Sequence, residues 1–141
     1  MEGYRPLLFE IQALTVNTSF GYPRRTTTGY NANRLQVLLA IIEKRANINV
    51  SGHDVYLSIA GGFKTTEYSA DLAACLAIIS SLKNKPLKPN TAVFGECGLG
   101  REVRRVPHIE KRIKEAKKLG YTNIISPENA KTLNDAIKLA F

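Results

Sequence analysis

An α/β fold of a single domain over residues 1–141 is predicted by three features of the chain. Segments in which every second residue is apolar, as in a half-buried strand, alternate with segments in which apolar residues recur every three or four positions, as in an amphipathic helix. The length suits one hydrophobic core, and no linker, repeat or low-complexity segment divides it. The resulting order, β-β-α-β-α-β-β-α-β-α, favours a sandwich of one sheet with packed helices.

The first half of the chain predicts two strands, a helix and a third strand. Over residues 7–16 alternate apolar side chains lie on one side of an extended segment, and the basic stretch 20–28 suits a second strand. A helix starts near Asn33, and an alternating strand covers 54–60. The inward stripe of that helix consists of Leu35, Leu38, Leu39, Ile42 and Ala46.

The second half begins with a strongly apolar helix that Ser69 opens. A loop containing Pro86 and Pro89 follows, and strands over 91–97 and 101–106 are joined in a hairpin at the glycines of GLG. The remaining elements are a helix after Pro107, a strand over 122–126 and a helix from Pro127 to Phe141, where proline suits the first helical position.

The charge of the chain favours a polyanionic partner. The formal net charge is +8 and the pI is near 9.7, and Lys and Arg displace counterions from phosphate backbones. Eight basic residues against three acidic ones lie within residues 101–118, and YPRR at 22–25 forms a second basic cluster beside tyrosines suited to stacking. Nucleic acid is therefore the partner class that the composition predicts, with solvated faces or subunit contacts as the alternatives.

Cys75 and Cys97 lie far apart in apolar runs, with no C-x-x-C pair or Cys/His cluster. This pattern predicts two buried thiols in a reducing compartment rather than a disulfide or a metal site. AGGFKTTE and GECGLG match neither glycine-rich phosphate motif, so we expect no cofactor in this chain. The sequence has neither a signal-peptide pattern nor a long apolar span, which predicts a cytoplasmic location and no membrane contact.

Ser69 suits two roles, a helix N-cap or the nucleophile of a hydrolase. The positions of His53 and His108 do not suggest a Ser-His-Asp triad. A catalytic Ser69 would therefore need a lysine with a lowered pKa as its base.

The chain resembles the proteolytic domain of the Lon family through EYSADLAACLAI, then GECGLGREV, then PHIEKRIKEAKKLGYTNIISPEN. Longer blocks are similar to the C-terminal Lon-like domain of the RadA (Sms) family of bacterial DNA-repair proteins: EGYRPLLFEIQAL, PRRTTTGYNANRLQVLLAIIEKR, DVYLSIAGG and VFGECGLGREVRRVPHIEKRIKEA. This resemblance covers essentially the whole chain. It implies a Lon-type sandwich of a mixed sheet with packed helices, similar to a domain of a small-subunit ribosomal protein.

The resemblance places the Lon nucleophile on Ser69 and the Lon general-base lysine on Arg112. A guanidinium stays protonated at any ordinary pH, so Arg112 cannot take the proton of the serine. On a helix at about 100° per residue, Lys111 and Lys114 point to the opposite side from Arg112. Asp71 stands where the Lon pattern S-A-G has its glycine, and adds a charge beside the oxyanion position.

These departures predict a degenerate dyad and no catalytic residue. The alternative roles are structural. Ser69 would cap a helix, Asp71 would complement the dipole of its first turn, and Arg112 would pair with a carboxylate.

The candidate DNA contacts fall into two clusters. Arg24 and Arg25 lie in the first, with Arg34 shortly after. The second holds Arg101, Arg104 and Arg105, where strand alternation puts Arg104 and Arg105 on opposite sides unless the strand twists or ends there.

In the RadA family this domain follows a zinc-binding segment and a RecA-like ATPase, and the whole forms a hexameric ring that acts on branched recombination intermediates. The chain has no four-cysteine motif and no P-loop, so we expect an isolated, non-enzymatic Lon-like domain. Its expected role is a scaffold of the ring that presents basic residues to single-stranded or branched DNA. Two alternatives stay open: a residual Ser69-dependent peptidase and a pure oligomerisation module.

Overall fold

The computed structural model describes residues 6–19 and 21–141, which form a mixed α/β structure. Short 3-10 turns at Ala60–Gly62 and Tyr68–Ala70 lie between the third strand and the second helix. The strands are β1 (Ile11–Asn17), β2 (Arg25–Thr28), β3 (His53–Ile59), β4 (Thr91–Val93), β5 (Glu96–Cys97), β6 (Val103–Arg104) and β7 (Asn123–Ile125). The helices are α1 (Ala32–Arg45), α2 (Asp71–Lys83), α3 (Ile109–Lys118) and α4 (Leu133–Ala140).

The described strands form three small sheets, so the prediction of one sheet is wrong. The largest has the order β1-β3-β2 and is mixed, with β1 antiparallel and β2 parallel to β3. β4 pairs in parallel with β7, and β5 pairs antiparallel with β6 across the predicted glycine hairpin. The extended stretch 91–97 is therefore shared between two sheets.

Gly95 explains why that stretch is split. Phe94 donates its amide to Ile125 at 3.0 Å, as the β4–β7 pairing requires, whereas Gly95 donates to the carbonyl of Ser69 at 2.9 Å. A Cβ at position 95 would lie 2.8 Å from Cγ1 of Val103. Only glycine lets the backbone turn away from β7 so close to this side chain.

The core lies between the inner face of the three-stranded sheet and helices α1 and α2. Val55, Leu57 and Ile59 are buried at alternate positions of β3, as predicted. α2 is almost wholly enclosed, and each large apolar side chain that it buries contributes about 1.5–3 kcal/mol. Its buried apolar residues are Leu72, Ala74, Cys75, Leu76, Ile78 and Ile79.

The two cysteines meet inside this core. Cys75 on α2 and Cys97 on β5 are both free and buried, with their sulfurs 3.9 Å apart. The prediction of two buried thiols is confirmed. The hydrogen bond with Cys97, together with burial, raises the pKa of the Cys75 thiol well above its usual value.

The last helix begins six residues later than predicted, at Leu133 instead of Pro127. Residues after Pro127 turn back on Ser126, whose carbonyl accepts the amides of Asn129 and Ala130. Thr132 accepts the amide of Asp135 at 3.1 Å, and Asp135 returns the bond in a capping box. This reciprocal cap starts the helix more effectively than a proline at its first position. No helix in the described part of the chain is both long and apolar enough to cross a bilayer.

Candidate functional site around Ser69 and Arg112

Ser69 is not a helix cap, so that prediction is wrong. It lies within the 3-10 turn Tyr68–Ala70, and the N-cap position of α2 is Ala70. The Ser69 hydroxyl donates to Oε2 of Glu67 at 2.9 Å. The Ser69 carbonyl accepts the amide of Gly95, and Leu72 donates to the carbonyl of Gly95 at 3.0 Å, so this turn is fastened to the start of the hairpin.

Arg112 pairs with a carboxylate, as predicted. Its Nη2 lies 3.4 Å from Oε2 of Glu67, and its side chain is 15 % exposed. Its Nε donates to the carbonyl of Pro107 at 2.9 Å, and the guanidinium lies 5.8 Å from the ring centre of Phe94. Both contacts fix the direction in which the guanidinium points.

The two positions matched to the Lon dyad therefore meet at one oxygen of Glu67. This arrangement holds the Ser69 hydroxyl in place but offers only a carboxylate as its acceptor. A carboxylate is a much weaker base than the neutral amine of a lysine. Glu67 was missed by the sequence analysis, although its place two residues before Ser69 in TTEYS was a usable signal.

Asp71 is the centre of a buried polar network rather than a simple dipole partner. It is fully buried and accepts from the Tyr30 hydroxyl at 2.6 Å, from the Cys97 amide at 3.1 Å and from Arg34. Arg34 also donates to the carbonyl of Cys97 at 2.9 Å and lies 4.4 Å from the ring centre of Tyr68. The network therefore joins α1, the start of α2 and β5.

The same network shifts two pKa values in the direction of tighter proton binding. Burial, and then the hydrogen bond to Asp71, raise the pKa of Tyr30. The hydrogen bond to Asp71 raises the pKa of Arg34 further above its already high value. Arg34, a predicted DNA contact, is thus a core ion-pair partner whose side chain is 18 % exposed.

In the first basic cluster, Arg24 is exposed and Arg25 is hydrogen-bonded to the backbone. Arg24 is exposed, and its amide donates to Asp54 at 2.8 Å. The Arg25 guanidinium instead donates to the carbonyls of His53 and Val50, the second at 3.3 Å. Arg25 therefore holds β2 to the turn that precedes β3.

The second basic cluster is exposed. β6 ends at Arg104, so Arg105 lies outside the strand and does not have to point to the opposite side from Arg104. Arg101 is exposed in the glycine turn. Arg104 is 55 % exposed between Glu102, at 2.9 Å, and Glu96, at 3.4 Å. Arg105 is 68 % exposed and pairs with Glu128 at 3.0 Å.

Two cavities adjoin the Ser69–Glu67–Arg112 contact, and these three residues line both. One measures about 370 Å³ and the other about 430 Å³. The first is walled largely by apolar side chains, and the second by the loop before α3, including His108. Within residues 6–19 and 21–141, no group of three His, Cys, Asp or Glu side chains is placed to hold a metal ion.

The chain is similar to several proteins named DNA repair protein RadA. The chain is 50 % identical over 130 residues to the DNA repair protein RadA of Streptococcus pyogenes serotype M3, covering 92 % of this chain and 29 % of that protein. It is 50 % identical over 132 residues to RadA of Streptococcus pneumoniae, covering 94 % and 31 %. Identity to RadA of Chlamydia muridarum is 44 % over 156 aligned positions, covering 99 % and 34 %.

The chain is homologous to a segment of RadA. The resemblance to the RadA family is thereby confirmed, over about a third of the length of the RadA proteins that it matches. No protein-family model matches the chain. DNA repair is the process in which the named RadA relatives act.

Proposed function

We propose that the chain is a non-catalytic, Lon-like single domain of a RadA-type DNA-repair and recombination protein of the cytoplasm. In this proposal it forms part of the scaffold of a hexameric ring and offers a basic surface to single-stranded or branched DNA. The zinc segment and the RecA-like ATPase belong to other parts of such a protein. The support is the similarity to a third of RadA, together with the mixed three-stranded sheet and the contact of both Ser69 and Arg112 with Glu67.

The observation that carries the non-catalytic assignment is the contact of Ser69 and Arg112 with one Glu67 oxygen. A serine activated by lysine needs a neutral amine within hydrogen-bond reach. Here the corresponding side chain is a permanently charged guanidinium, 3.4 Å from that oxygen. It stabilises a negative charge and accepts no proton.

The DNA surface in this proposal consists of the arginines that remain exposed. They are Arg24, Arg101, Arg104 and Arg105, and the exposed lysines of α3 add to the same charge. Arg25 and Arg34 support the fold instead, through carbonyls and through Asp71. Binding of this kind depends on counterion release and is largely independent of base sequence.

Fluorescence anisotropy of a labelled single-stranded oligonucleotide across a salt series tests the DNA contact. We expect Arg24→Glu or Arg105→Glu to weaken binding and to reduce the salt slope by about 1–2. Lys85→Glu, in the proline-containing loop, is the matched single reversal and should change binding less. If all three charge reversals weaken binding equally, the effect is one of general charge and no DNA contact is assigned to Arg24 or Arg105. If no binding is seen at low salt, the result favours a pure oligomerisation module.

A residual peptidase is the second candidate, because the Ser69 hydroxyl is hydrogen-bonded to a carboxylate beside a cavity. A serine-reactive phosphonate would then label the chain and spare Ser69→Ala. We expect no labelling of either protein.

A further inference from the structure

We propose that Ser69 and Arg112 form a carboxylate-binding site for a short apolar peptide, and that the Glu67 side chain occupies this site in the unbound chain. The ligand carboxylate, from a peptide C-terminus or an acidic side chain, would replace that of Glu67. This proposal goes beyond DNA binding and does not depend on it.

The first support is the different exposure of donors and acceptor. Ser69 is buried and Arg112 nearly so, whereas the Glu67 side chain is 61 % exposed. The donors are therefore built into the fold, while the acceptor is a surface side chain that can rotate away. An exposed partner of this kind contributes little to stability, so an external carboxylate replaces it at small cost.

The second support is the fixed orientation of the Arg112 guanidinium. Its Nε is engaged with the carbonyl of Pro107 and its face lies near the ring of Phe94, which directs Nη2 toward Glu67. A guanidinium held in this way is suited to the planar geometry of a carboxylate. The Ser69 hydroxyl supplies another donor to the same oxygen.

The third support is the space beside the contact. The cavity of about 370 Å³ lies within the range of ligand pockets, and its walls suit apolar side chains. Lys64 lines it as well and adds a second cation to this cavity. The large apolar side chains of its wall are Leu7, Leu8, Phe9, Ile11, Val93 and Phe94.

The mixed charge of both cavities and the apolar wall of the first favour a peptide over a nucleic acid at this site. The first cavity is lined by Glu115 as well as Lys64, and the second by Glu96 as well as Arg105, so neither offers the run of positive charge that a chain of phosphates requires. A single carboxylate on an apolar segment needs only the position that Glu67 now fills. The observations therefore favour a peptide.

The test measures binding to the whole chain by fluorescence anisotropy. One ligand is a fluorescein-labelled hexapeptide that ends in two apolar residues and a free carboxylate, and the other is the same peptide with a C-terminal amide. We expect the amide to bind at least about tenfold more weakly, because charge-assisted hydrogen bonds are lost. Arg112→Met should remove the preference for the acid. Glu67→Gln should tighten binding of the acid several-fold, because the internal competitor loses its charge.

Arg45→Met is the control, because Arg45 also donates its Nε to a carbonyl, that of Leu99 at 3.1 Å, but lines neither cavity. Equal affinity for acid and amide, or equal effects of Arg112→Met and Arg45→Met, would overturn the proposal. So would a Glu67→Gln variant that tightens binding of a single-stranded oligonucleotide but not of the peptide. If Arg112→Met does not fold, the comparison of acid with amide on the unmodified chain and on Glu67→Gln decides.

Discussion

Individual residues in this chain have roles that depend on partners far away in sequence. Asp71 follows the serine by two positions, yet its partners are Tyr30, Arg34 and Cys97. From sequence, an acidic residue at the start of a helix predicts a dipole contact, which is a local effect. The buried network could not be predicted, because it needs three segments to be brought together by the fold.

Replacing Asp71 should be far more damaging than replacing an exposed carboxylate. Asp71→Asn leaves Arg34 without its charged partner in the core, and breaking a buried pair costs about 3–5 kcal/mol. Because Arg34 retains some exposure, we expect the lower end of this range. Thermal unfolding followed by circular dichroism should show a fall in Tm of about 10 °C.

Glu128→Gln is the matched control for Asp71→Asn, because it removes the exposed partner of Arg105. We expect less than about 1 kcal/mol for this exposed pair. Similar losses for the two variants would contradict the structural role assigned to Asp71.

Among the helices and strands, those with long periodic patterns were predicted well. α1, β3 and the buried face of α2 follow directly from apolar spacing, which tertiary contacts reinforce. The start of α4 was missed because a proline offers only a weak local signal, while the Thr132–Asp135 cap forms two hydrogen bonds. The division of residues 91–97 depends on hydrogen-bond partners in distant segments, which spacing along the chain does not show.

Gly95, where β4 passes into β5, should not tolerate a side chain. Gly95→Ala places a methyl group 2.8 Å from Val103, and we expect a loss of about 1–3 kcal/mol in the free energy of unfolding. Gly52→Ala is the control, because nothing lies within 4 Å of its added carbon. Chemical denaturation of the two variants measures both values, and equal stability would show that the backbone relaxes at Gly95.

At the scale of the whole molecule, α2 connects the small sheets into one core. It packs against β1 and β3 of the mixed sheet, and its first turn is bonded to the β5 region through Asp71. The α/β class and the order of the helices were predictable, whereas the division of residues 91–97 into two strands and the number of sheets were not. The pairing of Ser69 with Arg112 through Glu67 also exists only at this scale.

Acidification should destabilise the chain below about pH 4. The pKa of Glu43 is lowered by the amides of Val50 and Ser51, that of Asp54 by the amide of Arg24, and that of Glu102 by its own amide and Arg104. A lowered folded-state pKa gives stability that is present above the unfolded value, near 4, and lost as pH falls through the folded value. We expect Tm to be nearly constant from pH 7 to 5 and to fall below about pH 4.

The double variant Glu43→Gln/Asp54→Asn distinguishes the contribution of these carboxylates to acid destabilisation from that of general charge repulsion in a chain with a net charge of +8. Its Tm should decline less steeply with acidification than that of the unmodified chain. A parallel decline in both proteins would assign the effect to net charge alone.

The thiols of Cys75 on α2 and Cys97 on β5 can report chemically on the opening of the core. Cys75 is fully buried and its raised pKa keeps it protonated, so an alkylating reagent meets no thiolate while the core is closed. Alkylation of Cys75 then requires states in which α2 and β5 have separated. The rate of alkylation therefore measures how often the core opens. Whatever binds beside Ser69, at the start of the same helix, should therefore be detectable as slower alkylation at a residue that it never touches.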